Sequence, residues 1–78
     1  MNKNVQYLVE GITKDILCYI MEDNHVSLSE AIDEFYNSET FEKLCMEESG
    51  LYIESSGYVY DIFKDEMKYG KLIAPWER

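Results

Sequence analysis

One amphipathic stretch near the N-terminal end decides what kind of fold this chain can have. Between Lys3 and Asp23, the apolar residues Val5, Leu8, Val9, Ile12, Ile16, Tyr19 and Ile20 recur at three- and four-residue spacings. On a helical wheel they fall within an arc of about 120°. A period of this kind, held over so many residues, specifies a helix whose apolar stripe must be covered by other elements. Nothing downstream interrupts the pattern by chemistry: the single proline is Pro75, so the first 70 residues lack the strongest helix breaker. The chain has 78 residues, room for one domain with a thin core, and its 46% hydrophobic content suffices for a globular fold.

The same helix carries a second, weaker apolar patch. Tyr7, Leu17, Cys18 and Met21 lie on the side away from the main stripe. Two readings stand: a central helix touched on two sides by its neighbours, or one face for the core and another for a partner or a second copy. Gly11 lies between the faces and costs about 1 kcal/mol relative to Ala in an exposed helix.

The remaining elements follow from punctuation. Asp23-Asn24-His25 predicts a turn, and Ser27-Leu28-Ser29-Glu30 has the form of a capping box opening a second helix to about Tyr36. Leu28, Ala31, Ile32 and Phe35 share one face. Ser38 caps a short third helix over 39–48, whose early Glu39 and Glu42 suit the positive end of the helix dipole. Phe41, Leu44 and Cys45 are expected inward. Gly50 stops that helix, and Leu51-Tyr52-Ile53 reads as an extended bridge too short to anchor a sheet, or as a turn leading into the next helix. Ser55-Ser56-Gly57 offers a cap for a fourth helix over 57–69, with Tyr58, Val59, Ile62, Phe63 and Tyr69 on one face and Gly70 closing it. The expected fold is all-α: a small bundle of three longer helices plus one short helix, with a short extended bridge near 51–54. Residues 1–70 form the single helical domain and 71–78 a C-terminal tail, loosely ordered unless Trp76 docks.

Catalytic chemistry finds no residue set. His25, the one histidine, falls in the predicted turn, and a thiol–imidazole pair would need it to meet Cys18 or Cys45 with nothing specifying the meeting. The two cysteines lie far apart in sequence within helical patterns, and read as buried thiols in a reducing compartment. The acidic clusters Glu22-Asp23, Glu30-Asp33-Glu34 and Glu47-Glu48 match no calcium loop, and no zinc motif or glycine-rich phosphate loop occurs. No cofactor and no enzymatic activity are therefore expected. No signal-peptide pattern is visible, so none is expected, and no apolar run reaches the roughly 18 residues of a membrane span. The expectation is a cytoplasmic protein.

Charge and tyrosine content favour binding. Sixteen acids against seven bases give a net charge of −9, which repels phosphate backbones and anionic lipid and favours a basic protein partner. The segment 27–48 has the outline of a helix-turn-helix, which makes a nucleic-acid-binding regulator the alternative function, but its second helix carries four glutamates and one lysine. Seven tyrosines are many for this length, and Tyr and Met are common in protein interfaces. Tyr7, Leu17, Met21, Tyr60 and Met67 are the candidate partner-binding residues, with Tyr60 and Met67 placed on the outer face of the fourth helix. Homo-oligomerisation is a further way of covering such residues.

The run Gly50-Leu51-Tyr52-Ile53-Glu54-Ser55, followed by Tyr58-Val59-Tyr60-Asp61, resembles a family of short, acidic, helical bacterial proteins of unknown function. The amphipathic first helix, Val5 to Ile20, and the Ser/Glu-capped second helix, Ser27 to Phe35, precede it in the family's order. The resemblance spans residues 5–68. Members are often encoded near a predicted ADP-ribosyltransferase-like toxin, so it implies an antitoxin-like or accessory role. It brings no catalytic residues, and the tail from Lys71 departs from the family pattern.

Overall fold

The computed structural model describes residues 3–70, and the expectations for the tail at 71–78 lie outside them. Helix α1 spans Lys3–Asn24, α2 Leu28–Tyr36, α3 Glu39–Cys45 and α4 Ser56–Tyr69. Two single 3-10 turns, Glu47–Ser49 and Leu51–Ile53, connect α3 to α4. The fold is all-α, with no strand among the described residues. At 22 residues α1 is the longest element, about 33 Å at 1.5 Å per residue. It contacts α2, α3, α4 and the second 3-10 turn.

The α1 stripe is where periodicity placed it. Val5, Val9, Ile12, Ile16 and Ile20 are buried and Tyr19 packs partly buried against the core, whereas Leu8 is exposed. Across from them lie Ala31 and Phe35 of α2, Leu44 of α3, Leu51, and Val59, Ile62 and Phe63 of α4. Phe35 is fully buried and meets Phe41 and Phe63 edge-on, each at 5.3 Å between ring centroids, a geometry that suits the ring quadrupole.

Serine hydroxyls set the helix starts. Those of Ser27, Ser38 and Ser55 accept from the backbone N–H groups of Glu30, Phe41 and Tyr58 at 3.1–3.2 Å. The Ser38 hydroxyl also donates to the Phe35 carbonyl at 2.6 Å, so one side chain ends α2 and opens α3. The turn after α1 places His25 at φ +54°, a left-handed conformation that short polar and imidazole side chains enter more readily than most.

Two expectations need correction. The segment Leu51–Ile53 is a 3-10 turn, not an extended bridge: Gly50 at φ +71° reverses the chain, and the N–H groups of Ile53 and Glu54 donate to Gly50 and Leu51 at 3.1 Å. An extended segment would have needed a partner for its backbone, and a helical bundle offers none. Helix α3 ends at Cys45, short of Glu48, because Met46 turns extended and the Ser49 hydroxyl takes over the carbonyls of Lys43 and Met46. On α2, Ala31 and Phe35 are buried, but Leu28 and Ile32 are 51% and 37% exposed. On α4, Tyr58 and Tyr69 likewise face outward.

The core also contains a charge. Glu66, 6% exposed, occupies the last position of the buried row Val59, Ile62, Phe63, Glu66 on α4. Its Oε2 accepts from the Glu39 N–H at 2.9 Å, and its Oε1 from the Thr40 N–H at 2.9 Å and the Thr40 hydroxyl at 2.7 Å. The carboxylate thereby caps α3 from another helix, at the end where a negative charge is favoured. Removing it leaves donors of the fully buried Thr40 unpaired, at a cost of about 1–3 kcal/mol per group. Glu66→Ala should therefore lower stability by about 2–4 kcal/mol, read as a lower urea midpoint at unchanged slope, while Glu66→Gln, which keeps one acceptor, falls between. A Glu66→Ala midpoint equal to the parent's would show that α3 is held by packing alone.

Candidate binding groove

Helix α2 displays two adjacent rows. Ala31 and Phe35 face the core, while Leu28, Ile32 and Tyr36, each one turn on from the last, stand outside it at 51%, 37% and 49% exposure. Alongside, the nine residues of α2 and seven of α3 are too short to cover the long α1. One flank of α1 stays open, and between it and the shorter helices runs a groove of about 610 Å³. Val9, Thr13, Leu17, Cys18 and Met21 form its α1 wall, and Leu28, Tyr36 and Phe41 the facing one, with Glu10 and Lys14 also lining it.

The walls are held in place. Tyr36 and Phe41 stack at 4.5 Å with an 11° interplanar angle across the α2–α3 joint. Phe41 is one residue beyond Thr40, whose backbone and hydroxyl are bound to Glu66. On α1, the Thr13 hydroxyl is turned away from the apolar lining by donating to the Val9 carbonyl at 2.7 Å.

Of the five candidate partner-binding residues, the structure brings two together here. Leu17 is buried at the base of the flank and Met21 is half-buried beside it. Tyr7, 77% exposed, lies elsewhere, in a smaller pocket of about 330 Å³ with Leu8, Gly11 and Ser56. Met67 is exposed on α4 and lines no part of the groove. Tyr60 is not on an outer face: it is 8% exposed, and its hydroxyl donates to Asp23 Oδ2 at 2.6 Å, tying α4 to the last turn of α1. Its ring lies 5.1 Å from that of Tyr19, with the Lys64 ammonium 5.0 Å from its centroid. Burial, the bond to Asp23 and the charges of Asp23 and Glu34 push the Tyr60 hydroxyl well above the ordinary tyrosine range. The exposed row Leu28, Ile32 and Tyr36 was not singled out by periodicity, because a wide apolar arc does not say which of its edges is covered.

Among the described residues, no group of three or more His, Cys, Asp or Glu side chains could hold a metal ion, and no helix is long and apolar enough to cross a membrane. No family model matches the chain, and searches of curated proteins and of solved structures gave no match either.

The two thiols, both expected to be buried, differ, because Cys18 lies on the flank of α1 that α2 and α3 leave open. Cys18 is exposed in the wall, whereas burial raises the Cys45 thiol above its usual value. Since the thiolate is the nucleophile, iodoacetamide at mildly alkaline pH should alkylate Cys18 several-fold faster than Cys45, followed by peptide mass spectrometry. Equal rates would mean that the Cys18 wall is covered in solution.

Proposed function

We propose that this chain is a non-enzymatic protein-interaction module that recognises a partner of opposite charge. The observation that carries the reading is the exposed apolar row Leu28, Ile32 and Tyr36 beside the groove, on the most acidic stretch of the chain. Residues 27–48 hold seven acids and one lysine, a net of −6 out of the chain's −9. Apolar area supplies affinity, and a surrounding field of one sign speeds encounter and rejects partners of the same sign. An antitoxin-like or accessory-subunit role is compatible with this reading and rests on the resemblance of the 50–61 run. The same −6 opposes use of the α2–α3 pair on a phosphate backbone.

Affinity capture of the tagged chain from its native lysate identifies the partner, and association kinetics then test the reading. Glu10, Asp33 and Glu42 are exposed. Replacing all three by Lys moves the net charge from −9 to −3 and should slow association by about tenfold at low salt and flatten its salt dependence. An unchanged on-rate, or a retained nucleic acid in place of a protein, would remove the proposal.

A further inference from the structure

We infer that the groove between α1 and the α2–α3 pair receives a cationic amphipathic helix of the partner protein. The inference rests on the interaction-module reading and adds the site and the occupant's chemistry.

The shape selects a helix. Along α1 the groove wall runs from Val9 to Met21, about 18 Å at the helical rise, matching a helix of about three turns. Such a helix inserts apolar anchors at i, i+3 or i+4, and i+7. Leu28, Ile32 and Tyr36 present a row repeating every four residues, the kind of ridge against which a second helix packs. Other modes of peptide recognition lack their prerequisites. Adding a strand requires a sheet edge, and the described residues contain no strand. A proline-rich ligand inserts between separated aromatic rings, and here Tyr36 and Phe41 stack on each other at 4.5 Å, closing the slot. Met21 and Leu28 add adaptable apolar side chains that mould to a range of anchors.

The charge selects the flanks. In the lining itself Glu10 and Lys14 offset each other, so the sign is set by the surrounding helices, where Asp33 and Glu42 are exposed and residues 27–48 hold seven acids and one lysine. An inserted helix with Lys or Arg beside its apolar stripe meets this field favourably. A second copy of this chain does not: each copy carries a net −9, so two copies repel as they approach.

The test uses a fluorescein-labelled peptide of Leu and Lys, about 18 residues or five turns, with Leu at helical spacing. One control has the same composition with Leu and Lys alternating, and another has Glu in place of every Lys. Binding is read by anisotropy at about 0.15 M ionic strength, with the Cys18 alkylation rate as a footprint. The helical cationic peptide should bind, slow Cys18 alkylation, and lose about tenfold or more in affinity with Leu28→Asp or Tyr36→Ala. Leu28 is about half exposed and makes no ring contact, so Leu28→Asp should keep the parent's urea midpoint, whereas Tyr36→Ala, which loses its stack on Phe41, should lower it slightly while leaving a cooperative fold, and Tyr7→Ala should bind as the parent does. Equal binding of the alternating or the Glu peptide, indifference to Leu28→Asp and Tyr36→Ala, or an unprotected Cys18 would overturn the inference. So would a concentration-dependent dimer abolished by Leu28→Asp, which would make the occupant a second copy. If the peptide fails while charge reversal still slows a native partner, the groove assignment falls and the interaction-module reading stands; if both effects are missing, both fall.

Discussion

Helix α3 has seven residues, too few to be stable in water without tertiary support. Its first two backbone N–H groups end on the carboxylate of Glu66, from a helix that begins 17 residues after Glu39. A helix start ordinarily satisfies its orphan donors with a local side chain or with water. Here Ser38 serves the Phe41 N–H, and Glu66 serves the two donors before it. The position and direction of α3 are therefore fixed jointly by α2, through the Ser38 hydroxyl, and by α4, through Glu66.

The groove inherits that constraint. Phe41 follows Thr40 directly, and its ring stacks on Tyr36 to form the aromatic end of the facing wall. Were α3 free to swing, Phe41 would leave the wall and the α1 flank at Leu17, Cys18 and Met21 would face open solvent. The part-buried bond of Tyr60 to Asp23 does the same for the opposite end, holding α4 to the last turn of α1. Two polar contacts on α4, about two turns apart, thus fix the frame on which the apolar row of α2 is displayed. A chain this short has little hydrophobic area to spare for such precision, and directional contacts supply it.

The features of the fold that were legible in the sequence are local ones. The α1 stripe, the caps at Ser27, Ser38 and Ser55, and the stop at Gly70 depend on neighbours a few residues away, and each appears where its residues suggest, whereas α3 is already capped at Met46, ahead of Gly50. What depends on the third dimension was not legible. Leu28, Ala31, Ile32 and Phe35 form one apolar arc in sequence, and only the placement of α1 and α4 decides that Ala31 and Phe35 are buried while Leu28 and Ile32 stay outside. Tyr60 falls outside the apolar stripe of α4 by helical position, but Asp23, 37 residues away in sequence, receives its hydroxyl and draws it inward. Among the candidate site residues, Leu17 and Met21 lie in the groove because they sit on one flank of one helix, whereas Tyr7, on the same side of the wheel, precedes the groove's first lining residue, Val9, and Met67 belongs to another helix. Glu66 carried a signal of its own: it completes the i, i+3, i+4, i+7 row of Val59, Ile62 and Phe63, and a charge at such a position requires a buried partner.

The groove depends on α3 being held by a buried carboxylate, and hydrogen exchange at single amides tests that directly. The N–H groups of Glu39 and Thr40 occupy the first turn of a short helix, where exchange is ordinarily fast. Bound to Glu66, they should exchange only through large-scale unfolding, far more slowly than Leu28 and Ser29 at the equivalent positions of α2. Exchange of Glu39 and Thr40 as fast as that of Leu28 and Ser29 would contradict the account, since α3 would then be open at its start and the groove would have no fixed wall.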